Sequence, residues 1–208
     1  DCLLSRGLGD VYKRQVINRS GQAWQGQMFG QIKRDNSEDP GKSDQGIFTL
    51  GTFLGGAWGT PDEHYNKLKF DNFVEEKLST EAKGGWVAMV QHYFVSAWVP
   101  GNLKLTQGNG EAYTAKLESR KSTDNMNIIG FTSPTFNVPA GTVAEIDATF
   151  YSGPKIQSEL KDLATGLNQT VDYGWLWPIA KLLFVGLEFF HGLVGNWGWA
   201  IILLTVLV

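Results

Sequence analysis

The sequence predicts a mainly β domain that runs into helical segments, the last of them strongly apolar. Three observations carry this. Twenty-five glycines and an aromatic content of 12% punctuate short β-branched and aromatic runs, as in an all-β core with tight turns. At Gly153 the apolar period changes from two to between three and four. Beyond Tyr173 formal charge almost vanishes, leaving only Lys181 and Glu188 before the chain reaches Val208. The length of 208 residues suffices for one sizeable core. A net charge of −3 without a basic block gives no electrostatic footprint for nucleic acid.

Residues 1–15, DCLLSRGLGDVYKRQ, show no periodicity and no apolar run long enough for a signal peptide, and are read as a non-native leader, with a frayed native terminus as the other reading. They hold the only cysteine, Cys2; the cysteine-free remainder suits the periplasm, though many cytosolic domains share that trait. The β region is assigned to residues 16–153. In AWQGQMFGQIKR, residues 23–34, Trp24, Met28 and Ile32 share one parity and Phe29 breaks it, which predicts a strand bent near Gly26 or Gly30. Residues 35–46 are polar and rich in turn formers, hence an exposed loop. In TPDEHYNKL, Thr60 stands as N-cap, Pro61 at the first helical position and Glu63 at N3, a capping box that predicts one or two helical turns. Residues 84–100, GGWVAMVQHYFVSAWVP, are apolar on both parities. They predict two successive central strands, or one long bent one, ending at Pro100. Weaker strands are expected at 112–119 and 127–131. Val143, Glu145, Asp147 and Thr149 alternate with Ile146, Ala148 and Phe150, a half-buried strand after a Pro-Ala-Gly turn.

A linker helix within 154–171 follows. Ile156, Leu160, Leu163 and Leu167 stand at spacings of four, three and four, one apolar stripe on a helix that can start at Pro154. That stripe predicts a docking face for the sandwich or for a partner. In 172–195, Lys181, Glu188 and His191 fall within about 80° of one another on a helical wheel, around Trp177. A narrow polar stripe on an apolar helix suits one lying in a membrane interface; a buried core helix is the other reading. Gly195 can take a left-handed C′ position and Asn196 can cap the next helix. Residues 196–208 carry no charge, and twelve helical residues rise only about 18 Å where a span needs about twenty. They read as a core helix or as the truncated start of a transmembrane helix. Trp175, Trp177, Trp197 and Trp199 cluster at its mouth, as amphipathic rings do at a membrane–water boundary.

The segments GQMFGQIKRDNSED, GTPDEHYNKLKFDNF, KGGWVAMVQHYFVSAWVPG, VDYGWLW and VGNWGWAIILLTVLV, in this order over residues 16–208, resemble the bacterial YidC membrane protein insertase family in its Gram-negative form with a large periplasmic domain. The resemblance implies a periplasmic β-supersandwich similar to galactose mutarotase folds and a linker helix from it to the membrane core. It further implies an amphipathic periplasmic helix and the opening of the second transmembrane helix. It places the chain at the bacterial inner membrane, with the β domain in the periplasm. The implied partners are nascent inner-membrane proteins, the Sec translocon and the lipid bilayer, with no cofactor. The arginine of the family's substrate groove would fall immediately after Val208, so no residue here takes its role.

A mutarotase-like fold also raises a sugar-binding or epimerising reading, which needs a carboxylate base and a histidine acid in one cleft. His64 is read as a surface residue of the capped turn, His92 as a structural residue in a strand, and Glu63 as a cap. The three histidines are too far apart in sequence, and lack cysteine or histidine neighbours, for a metal-ligand spacing. No catalytic or metal residue is assigned. The alternative function is a membrane-anchored periplasmic binding module for a carbohydrate or protein partner.

Overall fold

The computed structural model describes residues 9–37, 53–105, 110–171 and 177–207. Most of the 35–46 loop, and Trp175, lie outside them. The described strands are, in chain order, β1 (Gly9–Ile17), β2 (Trp24–Gly26), β3 (Phe29–Arg34), β4 (Gly55–Gly59), β5 (Asn66–Lys69), β6 (Ser79–Lys83), β7 (Trp86–Val90), β8 (Phe94–Leu105), β9 (Glu111–Ala112), β10 (Thr114–Lys121), β11 (Asn127–Thr132), β12 (Phe136–Val138) and β13 (Val143–Pro154). Helices α1 (Gln157–Leu163), α2 (Trp177–Val194) and α3 (Trp197–Leu207) follow, with 3-10 turns at Phe70–Phe73 and Leu167–Thr170.

The larger sheet runs β1-β13-β8-β7-β4-β5, with β9 added beside β8, and every pairing is antiparallel. A second sheet runs β3-β11-β10-β6, and β2 pairs β12 separately. The main core fills the space between the two large sheets, with Val87, Met89 and Ile146 from one and Leu117, Ile129 and Phe131 from the other. This is the β-sandwich the sequence predicts. At Gly30 of β3 a Cβ would lie 2.6 Å from the ring of Phe131, its partner on β11, and 2.8 Å from that of Trp98 on β8 of the other sheet.

β7 shows how directly pattern reports burial. All five of its residues are buried. Val87 and Met89 belong to the inter-sheet core, while Trp86, Ala88 and Val90 belong to a second core on the opposite face of the same sheet. The 23–34 strand breaks at Met28, where the Met28 N–H donates to Ser133 Oγ (2.9 Å) and the Ser133 N–H to the Met28 carbonyl (2.8 Å). This corner sends β2 and β3 to different sheets.

Four expectations change. Residues 9–15, set apart as leader, lie in β1, paired with β13 from Gly9↔Tyr151 to Ile17↔Val143. The partner strand supplies the register, and Tyr12 packs against Trp98 and Phe150. Second, only the Thr60 half of the capping box forms, and without a helix. Thr60 Oγ1 accepts from the Glu63 N–H (3.0 Å), but the Thr60 N–H donates back to the Glu63 carbonyl (2.8 Å), so the chain reverses into β5. Third, β8 does not end at Pro100. The ladder slips between Ile146 and Ala148, so that Asp147 alone faces two residues of β8, Gly101 and Asn102, just past Pro100, which supplies no N–H. Asp147 Oδ1 accepts from the Asn102 N–H (2.9 Å), and the Asp147 carbonyl accepts from the Tyr113 hydroxyl (3.1 Å). Fourth, His92 lies in the turn between β7 and β8, not in a strand.

Burial pushes the Tyr113 hydroxyl up to about 12. A raised tyrosine pKa means that the unfolded chain ionises first. The stabilisation is therefore intact below the ordinary value near 10 and is lost as pH rises through 10 toward 12, by about 2 kcal/mol in all. Tyr113→Phe is expected to flatten that alkaline decline in urea-unfolding free energy; a decline as steep as wild type would refute it.

Candidate membrane-facing site

The linker segment is built from the outer face of the larger sheet upward. Pro154 is still in β13, paired with Phe94, so the helix starts only at Gln157 and ends at Leu163. The single helix expected from Pro154 to Leu167 is thus a short helix plus a 3-10 turn. The break is at Gly166, whose φ of +86° is a left-handed conformation costly for residues with a Cβ. A Cβ there would also stand 2.0 Å from the His64 carbonyl oxygen. Despite the break, Leu160 and Leu167 are both fully buried in the second core, beside Ala57, Trp86, Val90, Ala97 and Tyr151. Leu163 packs at its edge, and Ile156 is exposed.

Polar contacts fix this docking. Trp86 Nε1 donates to the Thr165 carbonyl at 2.9 Å, and the indole stacks on Tyr65 with ring centroids 6.2 Å apart. The Tyr151 hydroxyl donates to the Pro154 carbonyl and lies 3.4 Å from Glu159 Oε2. Burial, with the Glu159 carboxylate beside it, raises the pKa of that hydroxyl. Trp86, Tyr151 and Gly166 escaped sequence reasoning because their roles depend on segments far away in the chain. The one local signal was a glycine inside the apolar stripe, between Leu163 and Leu167.

The second compact unit holds α2 and α3. Gly195 takes φ +66°, its N–H donates to the His191 carbonyl (2.8 Å), and Asn196 Oδ1 accepts from the Gly198 N–H (2.8 Å). Both are the cap roles predicted for these residues. The two helices fold against each other. Ala200 is fully buried, a Cβ on Gly186 would lie 3.1 Å from Leu204, and His191 stacks on Trp197 at 3.9 Å and 15°. The outward surface is apolar. Leu182, Phe184, Val185, Phe189 and Leu193 are exposed on α2, and Ile201, Ile202 and Val206 on α3. Trp197 and Trp199 are 49% and 62% exposed. Thr205 Oγ1 donates to the Ile201 carbonyl (2.7 Å), so the one hydroxyl of α3 is satisfied within the helix. Trp177 is the first residue of α2, and Trp175 falls outside the described residues. Among the described residues no helix is long and apolar enough to cross a membrane.

The elements rivalling this site are dispersed. β4 pairs with β7 as Gly59↔Trp86 and Gly55↔Val90, so the turn holding His64 and the turn holding His92 leave opposite ends of the sheet. An open pocket of about 490 Å³ lies between Trp58, the Thr60–Glu63 turn and residues 80–83, and neither of those histidines lines it.

A family model described as the YidC periplasmic domain matches residues 11–185. The chain belongs to the YidC periplasmic-domain family. Membrane protein insertase YidC of Pseudomonas aeruginosa LESB58 is 47% identical over 193 residues, which are 93% of this chain and 32% of the relative. YidC of Pseudomonas putida W619 is 46% identical over 98% of the chain and 34% of the relative, and that of Pseudomonas entomophila L48 is 45% identical over 99% and 35%. The chain thus spans about a third of the length of these relatives and corresponds to a stretch of the YidC insertase. YidC membership agrees with the β-sandwich found here and places the chain at the inner membrane.

Proposed function

We propose that this chain supplies the periplasmic sandwich and the first membrane-seated helices of an insertase that inserts and folds nascent inner-membrane proteins, alone or beside the Sec translocon. The observation that carries the proposal is the covalent sequence of parts: a folded sandwich, a docked linker, and two helices whose outward surface is apolar. Patches of that kind on a soluble surface are few and mark interaction sites. α2 lies in the interface with Glu188 and His191 toward the headgroups, and α3 opens the descent into the bilayer, its tryptophans at the boundary. At 11 residues, α3 rises about 16 Å, roughly half the hydrocarbon thickness. The sandwich works by positioning and contact rather than covalent chemistry, and the Sec translocon meets its periplasmic surface.

The test compares the whole chain with residues 1–171, which retain β1 and both cores, in flotation with phosphatidylethanolamine/phosphatidylglycerol vesicles. The whole chain should float and the shorter one stay at the bottom of the gradient. Equal behaviour would remove the membrane role of α2 and α3.

A further inference from the structure

The turn between α2 and α3 is closed by main-chain bonds but its angle is not set by them. Only Gly195 and Asn196 separate Val194, the last residue of α2, from Trp197, the first of α3. The Gly195 N–H donates to the His191 carbonyl (2.8 Å) and finishes α2, and the Ala200 N–H donates to the Asn196 carbonyl (3.1 Å) and starts α3. Among the described residues no main-chain bond joins one helix to the other. Between them stands a glycine, the residue with the widest backbone freedom. The angle of the joint is therefore left to side chains. No ion pair can supply it, because α3 carries no charged residue.

Trp197, Ala200 and Leu204 stand at spacings of three and four on one stripe of α3. Two contacts from this stripe cross the joint. Leu204 approaches Gly186, where a Cβ would lie 3.1 Å from it, and the indole of Trp197 lies on the imidazole of His191 with ring centroids 3.9 Å apart and planes 15° apart. Ala200, between them on the stripe, is fully buried. In a bilayer the leucine and alanine contacts select an angle only weakly, since acyl chains offer them surroundings as apolar as α2 does. The stack differs. Imidazole and indole are flat rings, and a disordered acyl chain does not reproduce a face-to-face contact between them. Both rings also have polar edges, which suit the membrane–water boundary next to the turn.

We propose that His191 and Trp197 are a positioning pair whose stack fixes the angle at which the chain turns from the interfacial α2 into α3, and so the direction in which α3 enters the bilayer. The pair acts through the helices it joins. This rests on the membrane reading of α2 and α3. The experiment uses the whole chain with Cys2→Ser, spin-labelled at Leu182→Cys on α2 and Val206→Cys on α3, both exposed positions, and bound to phosphatidylethanolamine/phosphatidylglycerol vesicles. Distances between the labels are read by pulsed electron resonance. With His191 intact, one narrow distribution is expected. His191→Ala and His191→Leu should each add a second, longer population, because alanine removes the ring and leucine keeps bulk without a flat face. His191→Phe should restore the single population, and Trp197→Leu should reproduce the alanine result. In a full-length insertase carrying this segment, insertion of a substrate protein should fall several-fold with alanine or leucine and return with phenylalanine, at unchanged protein level. A narrow distribution in the alanine variant overturns the pair. So does a phenylalanine variant as broad as alanine, because a flat ring would then not be what counts. Full insertion by an alanine variant whose distribution has broadened overturns the positioning role. An alanine variant that no longer floats with the vesicles overturns it too, since the pair would then be needed to form the helices rather than to set their angle. Failure of the chain with His191 intact to float overturns the membrane reading, and this proposal with it.

Discussion

Trp86→Ala is expected to cost about 3–5 kcal/mol of unfolding free energy, the range for truncating a large buried aromatic side chain. Trp86 is 1% exposed and stands where the outer face of β7, the linker and Tyr65 meet. Its removal opens a cavity under Leu160 and Leu167 and leaves the Thr165 carbonyl without the indole N–H it accepts from. Both losses fall on the second core, so the linker should loosen before the inter-sheet core around Ile129 and Phe131 does. Against a total stability of about 5–15 kcal/mol, the loss is a large share, visible as a melting temperature lower by about 10 °C. Trp86→Phe separates the two contributions. It keeps most of the buried area and loses the donor, which predicts a cost of about 1–3 kcal/mol. Phenylalanine as damaging as alanine would show that area is not the main contribution, and an alanine variant within 1 kcal/mol of wild type would refute the role altogether.

The contrast between elements shows where sequence reasoning reaches. β13 was legible because alternation along a strand maps onto the faces of a sheet, and β7 because apolar residues on both parities mark a central strand covered on both faces. β1 was not, since its nine residues carry no pattern of their own and take their place from β13. In the Thr60–Glu63 turn the residue chemistry was read correctly and the element wrongly. A side-chain cap is compatible with both a helix start and a tight reversal, and the Thr60 N–H to Glu63 carbonyl bond selects the reversal. The linker repeats this lesson. The stripe picked out Leu160 and Leu167 as core residues, but a straight helix could not be inferred from them, because the left-handed Gly166 brings the second leucine to the same core by another route. The cap residues Gly195 and Asn196 were legible because a helix terminus is a local event. The turn between β7 and β8 was not legible: the sequence left open two successive strands or one long bent one, and the bond from the Gln91 N–H to the Phe94 carbonyl decides for two.

Leu160→Asp with Leu163→Asp should undock residues 154–171 and, in a full-length insertase carrying this segment, impair insertion. Leu160 is fully buried among Trp86, Val90 and Tyr151, and Leu163 packs at the edge of the same cluster. A carboxylate at 160 would have no described cationic partner in that cluster, and Glu159 and Asp162 already carry negative charge beside it. Burying such a charge costs several kcal/mol, more than the short helix α1 can offset by itself, so the segment leaves the sheet rather than hold a buried ion. The inter-sheet core shares no residue with this cluster, so the sandwich should remain folded while the linker becomes open to protease near Gly166. That separation gives the experiment its force. If the docked linker transmits the position of the sandwich to the membrane helices, insertion of a substrate protein should fall although the variant accumulates to the wild-type level. Full insertion by a variant whose linker is shown to be protease-sensitive would mean that docking serves stability alone. If the linker stays protected, the assignment of Leu160 to a dry, closed interface is wrong.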